Sequence, residues 1–222
     1  MPLSLAALKP SELNKRILAV RRALETRPRL EAALKRVPGS TALFRAFRLL
    51  LDGGYRSERR LIRARPDKLF QPSGRTHFDR HPRIFSFVRD GLPQGAALRL
   101  LSYGCSTGEE AFSLRTYFPE AEIVGIDINP RSIRVCRKKQ ARSGDTRMRF
   151  VHAAVPPDGS AGVYDAVFCH SVFRHGELGA TRPETCSHLI RFADFDEIVR
   201  RLGRSLKAGG YLAITGSNFH SF

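Results

Sequence analysis

Two kinds of hydrophobic spacing divide the chain. Up to about residue 92 the apolar positions recur at helical intervals: Leu13, Ile17, Leu18, Val20 and Leu24 form one stripe behind a plausible Ser11 cap. A second helix is expected over 29–36, ended by Pro38-Gly39, and a third from Thr41 through Leu51, stopped by Gly53-Gly54. After an irregular stretch around Pro66 to Gly74, the pattern from Pro82 to Asp90 is helical again and ends at Gly91-Leu92-Pro93. From Ala97 short apolar runs alternate with helical patterns. Strands are expected over Leu98–Tyr103, Glu122–Ile126, Met148–Val151, Tyr164–Cys169 and Tyr211–Thr215. Helices are expected over Glu109–Tyr117, Pro130–Gln140 and Phe192–Leu206. Such alternation specifies βαβ units and a parallel sheet covered on both faces. The expected organisation is a helical region over 1–93 and an α/β domain over 94–222.

Composition narrows the picture. With 42% hydrophobic and 27% charged residues in 222, the chain is globular, with no apolar run long enough to span a bilayer. No basic segment leads into a long apolar run at the start, so a cytoplasmic location is expected. Cys105, Cys136, Cys169 and Cys186 lack the close pairing of a zinc corner and read as free thiols. The 38 basic and 21 acidic residues leave a net charge of +17, unevenly placed. Residues 1–90 hold 21 basic and 8 acidic side chains, which suits an anionic substrate or an acidic protein partner. Nucleic acid would also suit that charge, but much of it interleaves with apolar helix positions as an ordinary solvated face.

The chemistry concentrates at Gly104-Cys-Ser-Thr-Gly-Glu-Glu110, where a buried strand turns through small residues into a helix. Asp127 ends the next strand, 19 residues past Gly108, and is placed to accept hydrogen bonds from ribose hydroxyls. A dinucleotide fingerprint would need glycines where Ser106 and Glu109 stand. Read as Gly-x-Ser-x-Gly, the loop would make Ser106 a hydrolase nucleophile, with Asp165 or Asp194 and His188 or His220 following. That fold reaches its elbow after several strands, whereas the first 97 residues here read as helical.

The loop together with Ala111-Phe-Ser-Leu114 resembles the cofactor loop of class I S-adenosylmethionine (SAM) methyltransferases of the chemotaxis-receptor, or CheR, type. Upstream, Arg75-Thr-His-Phe-Asp-Arg80 is similar to that family's Thr-x-Phe-Phe-Arg segment, with Asp79 replacing a phenylalanine. Downstream, Gly125-Ile-Asp127, Tyr164–Cys169 and Leu206–Leu212 resemble its later strand segments. The resemblance implies a Rossmann-like sheet with S-adenosyl-L-methionine as cofactor. It implies that Gly104, Cys105, Ser106 and Gly108 cradle the cofactor, Asp127 with Ile128 holds its ribose, and Glu109 lies beside its methionine portion. Thr76 and Arg80 would close the site, Arg80 matching the cofactor carboxylate with its planar fork. His152, Ala153 and Cys169 would complete the lining from the ends of the third and fourth strands.

Departures bear on the acceptor. After Cys169 the family has Arg-Asn and this chain His170-Ser171, and after the third strand its Asn-Leu is His152-Ala153. Between Gln140 and Met148 only a short polar turn stands where the family carries its receptor-docking β subdomain. The loop from His170 to His188 follows the fourth strand, so His170 and Ser171 are the candidate catalytic residues, and Arg174 and His175 candidate substrate contacts. A zinc site from His170, His175, Cys186 and His188 matches no common spacing. The expected function is methyl transfer to an acceptor, possible carboxylate chemistry being implied by the CheR resemblance. The alternative is an RNA-binding or scaffold protein with a methyltransferase-like domain.

Overall fold

The structure is a computed structural model that describes residues 40–64, 69–93, 95–156, 161–181 and 185–219. The helices expected before residue 37 lie outside the described residues. The chain divides between Arg60 and Leu61 into two compact units. Helix α1 spans Ser40–Leu51 as its spacing predicts, and α2 spans Gly53–Ala64 where no helix is expected from sequence. The glycine pair that ends one helix opens the next because Asp52 caps it: the Tyr55 amide donates to Asp52 Oδ1 at 2.9 Å.

In the second unit α3 (Pro82–Gly91) precedes a sheet built from β1 (Arg99–Tyr103), β2 (Glu122–Asp127), β3 (Met148–His152), β4 (Tyr164–His170) and β5 (Leu206–Thr215). Between the strands run α4 (Glu109–Tyr117), α5 (Pro130–Ser143), α6 (Gly176–Thr181) and α7 (Phe192–Ser205). The strand order is β3-β2-β1-β4-β5, with every pairing parallel. Among the described residues no strand follows β5, and no helix is long and apolar enough to cross a membrane.

Alternation along each strand feeds two cores. Leu100, Ile123, Ala166 and Phe168 face α3, α4 and α5, which contribute Phe85, Val88, Ala111, Leu114, Ile133 and Cys136. Leu101, Val124, Ile126, Val167 and Cys169 face the opposite side, which Phe195, Ile198 and Leu202 of α7 cover. Both faces are therefore dry, which is why the strands read as continuous apolar runs. Residues ahead of position 94 thus enter the sheet's own core through Phe85 and Val88 of α3.

Boundaries shift for local reasons. Helix α5 opens with Asn129 accepting from the Arg131 amide and Pro130 in its first turn, and it continues past Gln140 until Gly144 turns left-handed at φ 68°. Strand β5 begins at Leu206, earlier than the apolar run suggests. Its pairing with β4 is interrupted between Tyr164 and Ala166, and the Lys207–Gly210 excursion is tied down by Lys207 pairing with Asp165.

Candidate functional site

All five strands point their carboxyl ends the same way, and β1 and β4, adjacent in the middle, diverge into different crossovers. A ligand crevice belongs at that point in such sheets. A cavity of about 360 Å³ opens there, lined by Gly104, Cys105 and Ser106 after β1, Asp127 and Ile128 after β2, Ala153 after β3, and His170 and Ser171 after β4. Thr76 and Arg80 line it from the segment preceding α3.

Asp127 organises the floor. Its Oδ2 accepts from the Ser106 amide at 2.8 Å and its Oδ1 from the Asn129 amide at 2.7 Å, so one carboxylate ties the loop after β1 to the turn after β2. Burial pushes its carboxyl up from the ordinary range, opposed by those two amides. The Gly104 and Cys105 amides both donate to the Ile126 carbonyl. Ser106 Oγ donates to the Gly74 carbonyl at 2.8 Å, which joins the loop to the upstream segment. A serine so engaged, with no histidine among its partners in the described residues, is no hydrolase nucleophile. Asp165 meanwhile accepts the Arg99 amide and Lys207, and Asp194 is bound by Arg191.

Among the described residues the non-glycine positions in the left-handed region are Asp79, Ser106 and Ser171. Ser106 and Ser171 line the cavity and Asp79 adjoins Arg80, the kind of clustering that marks a functional site. Asp79 also accounts for its own presence in place of a phenylalanine. Tyr117 donates to its Oδ1 at 2.8 Å and its amide donates to Ser113 Oγ at 2.7 Å, pinning the Thr76–Arg80 segment onto α4.

Four residues expected at the cofactor do not line the cavity. A Cβ at Gly108 would meet Phe112 Cε2 at 3.1 Å and Cys136 Sγ at 3.2 Å. Glu109 turns to Lys139, whose Nζ donates to Oε1 at 2.6 Å, and to Thr107. Burial pushes the Glu109 carboxyl up, but these two partners outweigh it and hold it below the usual range. His152 Nε2 donates to the Ile128 carbonyl, and Cys169 is sealed in the core. The neighbouring Glu110 does line the cavity, and His81 stands there as well.

Glu110 and His170 form a buried couple. Ser102 Oγ donates to Glu110 Oε1 at 2.6 Å, and Oε2 lies 3.3 Å from His170 Nδ1. The His170 side chain is 2% exposed, its ring centroid is 4.2 Å from that of His81, and among the described residues neither ring nitrogen has a hydrogen-bond partner. Burial, then His81 and Arg80, lower His170 to about 3, whereas burial raises Glu110 to about 7. His170 is therefore neutral at physiological pH.

Linkage gives this couple a testable signature. On unfolding, the groups return to 6.5 and 4.5. Between those values the folded pair holds a proton on Glu110 while the unfolded chain holds one on the imidazole, so the effects nearly cancel. Below 4.5 the unfolded chain takes a second proton that folded His170 refuses until about 3, and stability falls. Glu110→Gln removes the compensating carboxyl. Relative to wild type, its melting temperature should start to drop already below pH 6.5, followed in thermal melts across the acid range. An identical pH dependence in both proteins would refute the coupling.

Residues 94–221 match the family described as Methyltransferase domain. The chain belongs to that family. A demethylmenaquinone methyltransferase of Thermus thermophilus is 32% identical over 123 residues, 54% of this chain and 47% of that protein. A ubiquinone biosynthesis O-methyltransferase of Leptothrix cholodnii is 25% identical over 130 residues, 57% of this chain and 52% of that protein. The chain thus spans about half the length of these curated relatives. Among solved structures, phosphoethanolamine N-methyltransferase 2 of Haemonchus contortus, in complex with S-adenosyl-L-methionine, has a TM-score of 0.45 and 20% identity. That similarity covers 60% of this chain and 27% of the other.

Proposed function

We propose that the cavity binds SAM along the ends of β1, β2 and β3 and directs methyl transfer to an acceptor entering beside β4. The observation that carries this reading is Asp127, an acid at a strand end lashed to the loop that follows β1. The residues present fit the cofactor part by part. Asp127 suits ribose hydroxyls, small Ala153 leaves room for a base, and Arg80 on the wall suits a carboxylate. Glu110, which lines the cavity, takes over the place beside the methionine portion that the CheR resemblance gave to Glu109.

When bound, SAM supplies an electrophilic methyl carbon carried by a sulfonium. Neutral His170 adds no positive charge beside that centre. His170 Nδ1 lies 3.3 Å from Glu110 Oε2, but a ring that takes up a proton only near pH 3 is a weak base, so an acceptor that needs no base fits this wall best. A carboxylate acceptor of the CheR kind would need no base. In place of the CheR docking subdomain, the four residues Gly144–Arg147 join α5 to β3, so the acceptor is a molecule that enters the cavity unaided by that module.

Calorimetric titration with SAM and with S-adenosylhomocysteine tests the assignment. Saturable binding of both is expected, weakened about tenfold by Arg80→Gln through loss of a charge-assisted contact. Failure of the wild-type protein to bind either compound would overturn the reading.

A further inference from the structure

The cavity carries more positive charge than a cofactor carboxylate can use. Arg75, Arg80 and Arg174 all line it. Among the described residues none of the three has a hydrogen-bond or ion-pair partner for its guanidinium. Other arginines of the same unit are consumed: Arg115 by Asp145 and three carbonyls, Arg200 by Asp196, Arg201 by Glu197. Among the described residues neither acid on the cavity wall forms an ion pair with Arg75 or Arg174: Asp127 accepts two amides, and Glu110 accepts Ser102, lies against His170 and is drawn down by Arg80.

Arg75 and Arg174 belong to the upstream segment and to the loop after β4, whereas the groups fitted to ribose and adenine stand after β2 and β3. Arg174 is held half-buried by its own chain, its amide donating to the Val172 carbonyl at 2.9 Å, and the adjoining His175 amide donates to Asn218 Oδ1 at 2.8 Å. The same cavity includes Leu69 and Phe70, and Phe70 packs edge-on to Phe173 next to Arg174 in sequence, with ring centroids 5.1 Å apart. Two unpaired guanidiniums beside an apolar wall are complementary to a small molecule with an apolar body and an oxyanion.

We infer that Arg75 and Arg174 form a clamp for the acceptor's own oxyanion, a carboxylate or phosphate that anchors the acceptor and is separate from the cofactor carboxylate. The inference rests on the reading of the cavity as the SAM site. Unlike a carboxylate that itself receives the methyl group, this oxyanion is a handle, and the reacting atom lies elsewhere on the acceptor.

The probes are phenylacetate, phenyl phosphate and uncharged phenol, titrated by calorimetry into the protein saturated with S-adenosylhomocysteine. At least one of the two anions should bind saturably below about 10 mM and phenol should not, and which anion binds tighter distinguishes carboxylate from phosphate. Arg75→Gln and Arg174→Gln should each weaken the anion about tenfold while leaving S-adenosylhomocysteine affinity unchanged. Equal binding of phenol, no saturable binding of either anion, or variants that bind the anions like wild type would overturn the clamp. A fall in S-adenosylhomocysteine affinity in these variants would also overturn it, by assigning the arginines to the cofactor. If wild type fails to bind S-adenosylhomocysteine, the SAM reading itself fails and the clamp with it.

Discussion

Asp127→Ala should lower SAM affinity by about 100-fold and reduce stability by about 2 kcal/mol. On the proposed binding mode the first effect is the loss of a charged acceptor for two ribose hydroxyls, each such contact being worth roughly a tenfold factor or more. The second comes from the Ser106 and Asn129 amides, which lose the carboxylate oxygens at 2.8 and 2.7 Å that now hold them. Asparagine is not a gentle replacement. Both oxygens of Asp127 accept from N–H donors, so an amide side chain would set its own NH2 against one of them. Asp127→Asn is therefore expected to resemble alanine in calorimetry and in urea unfolding. Affinity within threefold of wild type for either variant would remove Asp127 from the site.

Gly104→Ala should be the most damaging change in the loop. Gly104 has φ +70°, and a Cβ there would come within 2.4 Å of Val172 Cγ2. The left-handed backbone costs a non-glycine residue about 1–2 kcal/mol and overpacking a further 1–3. A loss of about 3 kcal/mol is expected, with cofactor binding abolished as the loop and the chain after β4 are pushed apart. The two contributions are separable. Val172→Ala in the same chain removes the colliding methyl but not the backbone strain, so the double variant should recover about half of the lost stability. Full recovery would mean that strain contributes nothing, and no recovery that the contact does not matter.

Much of the sheet is legible in the sequence because both of its faces are buried. Each strand reads as an unbroken apolar run between turn residues, and a capped helix such as α5 announces its start at Asn129-Pro130. Helix α2 is not legible. Gly53-Gly54 carries the signature of a stop, and four arginines with Glu58 leave little apolar stripe behind it. The β5 boundary is obscured for a similar reason, since Lys207–Gly210 has the composition of a turn although the strand begins at Leu206.

Of the residues that line the cavity, Gly104 and Asp127 are expected from loop composition and spacing and Arg80 from the resemblance. The choice between Glu109 and Glu110 is not legible, because neighbours on a helix point about 100° apart and only the packed orientation of α4 decides which one faces inward. The available signal is that Glu110 stands one turn before buried Leu114. His81 and Arg75 escape notice for a different reason. They flank Thr76 and Arg80, which the resemblance marks, but match no motif position themselves, and only the fold sets His81 against His170.

The bonds that fix the turn after β1 all belong to the chain itself: Gly74 takes the Ser106 hydroxyl, Asp127 its amide, and Ile126 the two amides before it. Ser106 is thereby kept at φ +49°, a conformation it would seldom visit alone. The entropy of ordering this turn is therefore spent during folding rather than at each encounter with ligand. Loop rearrangement then sets little of the rate of cofactor exchange, and the turn should register as equally rigid in hydrogen exchange before and after loading.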